Sequence, residues 1–215
     1  KKGGSNAGPL DGVTVVELAS WFAAPFGPSI LADLGARVIK LEHLDGDPWR
    51  ASGPMGVRTI QGKESIALDL KKPEAQAIAH KLVAKADIFM HNFRPGIPER
   101  LGLSYDQASA VNPKLVYLYS GAYGSTGPSS HRPAFHPIPG AICGGALYQA
   151  GRGTPPPPET PLTYEQVRAT ASTLFRANEG NPDVNAAVSV ATAMLMGLQA
   201  RERTGKGQYL ETSML

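Results

Sequence analysis

The chain has 215 residues, of which 42% are hydrophobic, and its 21 Lys and Arg against 18 Asp and Glu give a formal net charge of +3. The basic residues are scattered, which argues against a nucleic-acid groove but permits a small polyanionic ligand. No apolar run approaches the length of a membrane span. The single cysteine, Cys143, excludes an intramolecular disulfide and fits a reducing compartment. We expect a soluble, cytoplasmic protein that binds neither nucleic acid nor membrane.

The amino-terminal residues 1–8 read KKGGSNAG and show no apolar periodicity. They also lack the apolar core of a signal peptide. We interpret them as a linker or an expression remnant, and place the folded unit at residues 9–215.

The first elements form a strand, a helix and a second strand. Val13–Leu18 and Val38–Leu41 are short, apolar and rich in β-branched residues, which predicts two buried strands. Pro25 and Pro28 mark the start of a helix between them, and Gly35 its end. Two buried strands joined by a helix imply a parallel pair with a right-handed crossover.

The alternation of strand and helix continues along the chain, which predicts an α/β fold with a doubly wound, mainly parallel sheet of the Rossmann-like type. Neither the GxGxxG nor the GxxxxGK[ST] phosphate fingerprint is present. Asp45–Gly62 is predicted to be a surface loop, and Ser129–Pro161 a loop or excursion. The remaining predicted strands are Ser65–Leu70, Ala86–His91, Leu115–Ser120 and Tyr209–Leu215, and the remaining helices are Ala75–Lys85, Ile97–Leu101, Ser104–Val111, Tyr164–Asn178 and Val184–Arg203.

Seven segments in this order resemble the amino-terminal half of the family III CoA transferases, which include formyl-CoA and carnitine CoA-transferases and the α-methylacyl-CoA racemases. Each segment alone is a weak signal, but their order and spacing are specific. They are PLDGVTVVEL (residues 9–18), AP (24–25), LADLGARVIKLE (31–42), GKESIALDLKKPE (62–74), ADIFMHNFRPGIPERLGLSYD (86–106), NPKLVYLYSGAYGSTGP (112–128) and ARERTGKGQ (200–208).

The resemblance implies a large Rossmann-like domain and a second, small domain. We expect the chain to hold the amino-terminal part of the large domain, without the small domain and without the carboxyl-terminal segment that returns to complete the large one. The resemblance implies acyl-CoA and a carboxylic acid as substrates, and no metal. It also implies interlocked dimers, so we expect a homodimer or pairing with a second family III half.

The residue that matches the family's nucleophile is Asp183, at the start of the long predicted helix. In such enzymes this aspartate attacks an acyl-CoA thioester and forms an aspartyl anhydride, which divides one difficult exchange into two easier ones. A plain helix cap is the alternative interpretation of Asp183. Pro182 replaces the glycine that usually precedes the aspartate, which removes an amide donor.

The racemase members pair this aspartate with a histidine, whose position here is occupied by Phe135, with His136 one residue later. His136 is therefore a candidate second catalytic residue, or a plain loop histidine. Trp21 and Phe22 replace a smaller or polar pair, and we expect them to face the thioester region near Asp183.

Coenzyme A carries phosphate groups, so its site requires cations and backbone donors at strand ends. For several of these positions a solvated surface charge is the alternative interpretation. By position, the resemblance points to His43, Lys71, Asn92, Phe93, Arg100 and Arg132, with Arg94 a further candidate.

Three functions remain open from the sequence. The first is an acyl-CoA transferase that uses Asp183, with an acyl-CoA racemase as a weaker enzymatic variant. The second is a catalytically impaired CoA-binding half of a tandem or partnered protein. The third, an NAD-dependent oxidoreductase, is disfavoured because the phosphate fingerprint is missing.

Overall fold

The structure, a computed structural model, describes residues 8–144, 159–176 and 182–215. The strands are β1 (Thr14–Leu18), β2 (Arg37–Glu42), β3 (Lys63–Ala67), β4 (Ile88–His91), β5 (Val116–Gly121) and β6 (Gln208–Ser213). The helices are α1 (Ala23–Asp33), α2 (Pro54–Ile60), α3 (Pro73–Val83), α4 (Ile97–Arg100), α5 (Tyr105–Val111), α6 (Pro137–Ile142), α7 (Tyr164–Arg176) and α8 (Pro182–Thr204), with a 3-10 helix at Pro48–Ala51.

The six strands form one parallel sheet in the order β3-β2-β1-β4-β5-β6. Val15 of β1 lies opposite Val38 on one side and Ile88 on the other. The strand order reverses direction between β1 and β4, and open α/β sheets bind ligands at the carboxyl ends of the strands at such a point. The predicted doubly wound, Rossmann-like fold is confirmed.

Both faces of the sheet are buried, because successive strand residues point to opposite sides and both sides are apolar. Val15 contributes to the cluster that packs on α1 and α8, whereas Val16 contributes to the one that packs on α3 and α5. Each of these two valines is fully buried. This explains why the strands read as continuous apolar runs in the sequence.

Helix α1 begins at Ala23, two residues earlier than the prolines suggested. Pro25 stands in the first turn, where its missing N–H has no helical partner. Pro28 lies inside the helix and removes one backbone hydrogen bond, the one to the carbonyl of Ala24. Gly35 follows the helix with φ of +100°, so its predicted role in ending the helix is confirmed.

The predicted surface loop at Asp45–Gly62 is wrong, because the 3-10 helix and α2 form within it. Asp47 caps the 3-10 helix by accepting the Trp49 N–H at 2.9 Å. Proline occupies the first turn of both helices, where it is preorganised for helical φ. The Gly and Pro residues of this segment therefore delimit two short helices.

Two further predictions needed correction. The third strand is Lys63–Ala67 instead of Ser65–Leu70, because β3 pairs with β2 from Val38 to Glu42. Within the predicted excursion at Ser129–Pro161, residues 137–142 form α6. Residues 145–158 of that segment, and 177–181 between α7 and α8, lie outside the described residues.

The other predicted strands and helices are confirmed within a few residues. Ser104 caps α5, and its side chain and that of Gln107 form a capping box. Within the described ranges, no helix combines the length and apolar character needed to cross a membrane.

Helices α1 and α8 cross at Gly27. A Cβ added there would lie 2.3 Å from Cγ1 of Val190 and 3.2 Å from the carbonyl oxygen of Ala187. Helix propensity alone favours alanine over glycine by about 1 kcal/mol. Overpacking costs about 1 to 3 kcal/mol, and a contact of 2.3 Å belongs to the upper part of that range, so the clash outweighs the gain in propensity.

We therefore predict that Gly27→Ala lowers the free energy of unfolding by about 1 to 2 kcal/mol, measured by urea denaturation of the intact protein. In the double variant Gly27→Ala/Val190→Ala, the two effects should be clearly less than additive, because removing Cγ1 frees the space. Asp33→Ala, on the exposed end of α1, is the control. Strict additivity of the first two substitutions would contradict the crossing described here.

His91, at the end of β4, is a buried polar residue that the sequence did not single out. It is 4% exposed and stacks on Tyr119, with ring centroids 5.2 Å apart. Its Nδ1 has no hydrogen-bond partner among the described residues. Burial lowers the pKa of His91 from 6.5 to about 3, so the ring is neutral in the folded protein at neutral pH.

Because the pKa of His91 is lower in the folded chain than in the unfolded chain, the unfolded chain binds more protons between pH 6.5 and 3. The free energy of unfolding should therefore decrease as the pH is lowered through this window, by up to about 1.4 kcal/mol per pH unit. We predict that His91→Phe removes this pH dependence, which amounts to about 2 kcal/mol between pH 7 and pH 5. Urea denaturation of both proteins at pH 7 and at pH 5 measures it. His131→Gln, at an exposed histidine, should behave as the wild type. Identical pH profiles for wild type and His91→Phe would refute the assignment.

Candidate active site

A cavity of about 360 Å³ opens at the carboxyl ends of β1, β4 and β5, at the point where the strand order reverses. Ser20 and Trp21 follow β1 and line one side of it. Asn92 follows β4, and Gly121 ends β5. Phe135, on the segment before α6, closes another side. The cavity thus occupies the position in which this fold class binds ligands; we call it the switch-point cavity.

The loop after β1 is held in a fixed conformation. The side-chain amide of Asn92 donates to the carbonyl of Ser20 at 2.9 Å and accepts from its N–H at 3.1 Å. The Trp21 N–H donates to Oδ1 of Asp47 at 3.2 Å. These contacts hold Trp21 at φ of +74°, a left-handed conformation that is strained for a non-glycine residue.

Asp47 belongs to a buried charge network beneath this loop. Nζ of Lys40 lies 2.7 Å from Oε1 of Glu17, 2.8 Å from Oδ2 of Asp47 and 2.6 Å from the carbonyl oxygen of Ala19. Burial alone would lower the pKa of Lys40, but the two carboxylates together raise it, so this lysine stays charged. Lys63 also pairs with Glu17. Burial lowers the pKa of Lys63, and the Glu17 carboxylate opposes this, so the network joins two lysines to two carboxylates.

Several aromatic rings pack against one another here, and two of them, Trp21 and Phe135, line the cavity. Trp21 meets Phe135 edge to face, with centroids 5.5 Å apart, and Trp49 at 6.3 Å. Phe22 packs behind Trp49 at 5.8 Å and is not among the residues that line the cavity. We call Trp21, Phe22, Trp49 and Phe135 the aromatic wall. Trp49 was not singled out in the sequence, although an Asp-Pro pair before it is typical of a capped helix start.

Asp183 lies in the first turn of α8, as the second residue of the helix after Pro182. Its Oδ2 is 3.2 Å from Nδ1 of His136, which directly follows Phe135. Burial raises the pKa of Asp183, and the neighbouring imidazole opposes that rise. The structure therefore brings the two residues predicted as catalytic together, next to the aromatic wall.

Pro182 occupies the first position of α8, where proline is favoured because its missing N–H has no partner in the helix. Asp183 lies within the first turn and does not precede the helix, as a capping residue would. Because an acidic side chain in the first turn also stabilises a helix, a structural role for Asp183 stays a prediction beside the catalytic one.

The predicted CoA-binding residues divide between two cavities. Asn92, Phe93, Arg94 and Arg132 line the switch-point cavity. His43 and Lys71 line a second cavity of about 450 Å³ between the ends of β1 and β2 and helix α4, which Phe93 also borders. We call this the β2-side cavity.

Arg100, in contrast, borders neither of these two cavities. It lies on α4 between Ile97 and Leu101, which do line the β2-side cavity. Its Nε donates to the carbonyl of Gly96 at 3.2 Å. In the part of the chain that the structure describes, no group of three or more His, Cys, Asp or Glu side chains has an arrangement that would hold a metal ion.

Comparison with known proteins adds independent evidence. The acetyl-CoA:oxalate CoA-transferase of Acetobacter aceti is 38% identical over 96% of the chain, and the β subunit of succinyl-CoA–L-malate CoA-transferase of Chloroflexus aurantiacus is 35% identical over 96%. Among solved structures, Rv3272 of M. tuberculosis superposes with a TM-score of 0.76 at 30% identity, and a CAIB/BAIF family protein of Brucella suis with 0.72 at 30%. Each match covers 97% of this chain.

The chain spans about half the length of these relatives: 51% and 49% of the two enzymes, and 54% of each solved structure. The sequence model of CoA-transferase family III matches residues 10–215. With these relatives and structural neighbours, the match shows that the chain belongs to the family III CoA-transferases.

Proposed function

We propose that the chain forms the nucleophile-bearing part of an acyl-CoA transferase, in which Asp183 carries the acyl group as an aspartyl anhydride. The observation that supports this most strongly is the contact between Asp183, in the first turn of α8, and His136, the residue that follows Phe135 of the switch-point cavity. A carboxylate in the first turn of a helix is stabilised as the anion by the helix dipole. Oδ2 contacts His136, so the proposal assigns the attack to Oδ1.

The proposed chemistry exchanges CoA between two acids in balanced steps. The Asp183 carboxylate attacks the donor thioester, and the CoA thiolate leaves as the mixed anhydride forms. The thiolate then attacks the aspartyl carbonyl, which releases the donor acid and leaves an aspartyl thioester. The acceptor carboxylate displaces CoA from this thioester to form a second anhydride. Finally, the thiolate attacks the acceptor carbonyl, which yields the new acyl-CoA and restores Asp183.

In this proposal the two cavities hold different parts of the substrate. The phosphates of coenzyme A would lie in the β2-side cavity near Lys71 and His43, whose side-chain nitrogens can donate hydrogen bonds to phosphate oxygens. The thioester would reach the switch-point cavity past Phe93, which borders both cavities. Asn92 acts as a positioning residue, because its amide is already paired with Ser20.

We predict that acyl-CoA and hydroxylamine convert Asp183 into a hydroxamate in the full-length protein, detected by peptide mass spectrometry. Asp183→Ala should lower kcat/KM for CoA transfer by at least about 1,000-fold, because it removes the nucleophile. His136→Gln should lower it by about 10- to 100-fold, because the carboxylate loses the imidazole that contacts Oδ2.

The matched control is Asp106→Ala, which removes another aspartate from the first turn of a helix, the exposed start of α5. Its activity should equal that of the wild type. Transfer that survives Asp183→Ala, without any hydroxamate at this residue in the wild type, would exclude the proposed mechanism.

A racemase is the second enzymatic candidate, since His136 and Asp183 are an acid and a base in contact. A two-base racemase requires these groups on either side of the α-carbon. A separation of 3.2 Å places them side by side, which favours the transferase. A racemase would incorporate solvent deuterium at the α-carbon of a chiral 2-methylacyl-CoA, whereas the transferase would leave this position unlabelled.

Pairing with another copy or with a second family III half forms part of the proposal, as does a cytoplasmic location. Relatives in Chloroflexus aurantiacus are named as α and β subunits of one enzyme, which supports the use of two related chains. A catalytically impaired half remains the alternative, motivated by Pro182 and Phe135 at positions where the family differs. Such a half would bind CoA yet form no adduct at Asp183, so the hydroxamate measurement distinguishes the two.

A further inference from the structure

We propose that the acid transferred through Asp183 carries an aromatic side chain that packs against Trp21 and Phe135 in the switch-point cavity. This inference rests on the proposed function and names the substrate class for the same site. The juxtaposition behind it is a strained, anchored tryptophan and an exposed phenylalanine that contact each other in one cavity, the phenylalanine one residue before His136.

The two rings are exposed to the cavity although they contact each other. Trp21 is 44% exposed and Phe135 is 54% exposed, and both line the same cavity. Their edge-to-face contact leaves ring surface free for a third ring, and aromatic rings prefer such offset or edge contacts. An incoming aromatic group would remove this apolar surface from water.

The position of Trp21 is fixed by its surroundings. Its φ of +74° is a strained conformation, and the Asp47 and Asn92 hydrogen bonds on either side of it maintain that strain. Strained residues persist only where the surrounding structure determines them, and they cluster at ligand sites. The indole is thus a preorganised surface, whose contact with a ligand loses little conformational entropy.

One residue of the aromatic wall is adjacent in sequence to the catalytic pair. Phe135 is joined by one peptide bond to His136, and Nδ1 of His136 contacts the Asp183 carboxylate. Phe135 lines the cavity, whereas His136 and Asp183 are not among its lining residues, so the proposal places the acyl group bound to Asp183 on the Phe135 side of the cavity. A cavity of about 360 Å³ falls within the size range of sites for small organic ligands.

The same cavity contains Arg94 and Arg132, which favour a competing class of substrate, a dicarboxylic acid whose second carboxylate pairs with a guanidinium group. Both arginine residues are exposed. An ion pair in such a position is weakened by water and salt, whereas ring burial is not. The preorganised rings therefore favour the aromatic acid.

The test uses the full-length protein with acetyl-CoA as donor and three acceptors: 3-phenylpropionate, butyrate and glutarate. We expect kcat/KM for 3-phenylpropionate to exceed that for glutarate by at least about 100-fold. Phe135→Ala should reduce the ratio of kcat/KM between 3-phenylpropionate and butyrate by at least about 10-fold, and Phe135→Tyr, which keeps a ring, should largely preserve it. Tyr164→Ala, at an aromatic residue of α7 that is 75% exposed, should leave the ratio unchanged.

A preference for glutarate that is lost in Arg132→Gln would overturn the inference in favour of a dicarboxylate site. An equal ratio in Phe135→Ala and wild type would overturn it as well.

A binding measurement separates this inference from the proposed function. It uses calorimetry of 3-phenylpropionate with the Asp183→Asn protein, with CoA present. Phe135→Ala in that background should weaken binding at least about 10-fold, whether or not Asp183 forms a hydroxamate in the parent enzyme. Undiminished binding would overturn the aromatic site alone.

Discussion

The buried Lys40 charge network is the constraint on which the candidate site depends. Lys40 is 1% exposed and lies within 2.8 Å of Glu17 on β1, of Asp47 after β2 and of the carbonyl of Ala19. Removing one partner of a buried ion pair costs about 3 to 5 kcal/mol, because the other charge is left without compensation. The three segments are therefore bound to one another at the carboxyl edge of the sheet, and Lys63 attaches β3 to the same network through Glu17.

Asp47 connects the charge network to the aromatic wall. Its Oδ1 accepts the backbone N–H groups of both Trp21 and Trp49, while its Oδ2 is held by Lys40. The strained backbone of Trp21 is maintained in this way, and the indole keeps its contact with Phe135. From Phe135 the chain continues directly to His136 and its contact with Asp183. A charge pair in the core thus fixes the shape of the cavity in which the proposed acyl transfer takes place.

Much of the fold could be predicted from the sequence because both faces of the sheet are apolar, which makes the strands visible as runs such as the one around Val15 and Val16. The helices within Asp45–Gly62 were missed because each begins at a proline that follows a glycine by one or two residues, and such residues also mark loops. Lys40 lies inside an apolar strand and gave no signal of its own. Its partners are 7 to 23 residues away in the sequence, so only the folded sheet shows that they meet.

The candidate site, like the fold, could be predicted from the sequence only in part. The resemblance to the family identified Asp183 and His136 as candidates, but their contact depends on how α6 and α8 meet in the fold. The aromatic wall required the structure, because its rings come from three separate segments. Local patterns predict elements well, whereas the shape of a cavity depends on contacts between residues distant in the sequence.

The account depends most on the claim that the acid oxygen passes through Asp183, and an isotope measurement tests this directly. The full-length enzyme is turned over with acyl-CoA and an acceptor acid labelled with ¹⁸O in its carboxylate, and the tryptic peptide of residues 177–201 is analysed by tandem mass spectrometry. The anhydride route predicts that ¹⁸O accumulates in the Asp183 carboxylate, since each cycle leaves one acceptor oxygen there. Complete turnover with no ¹⁸O in this residue would contradict the account.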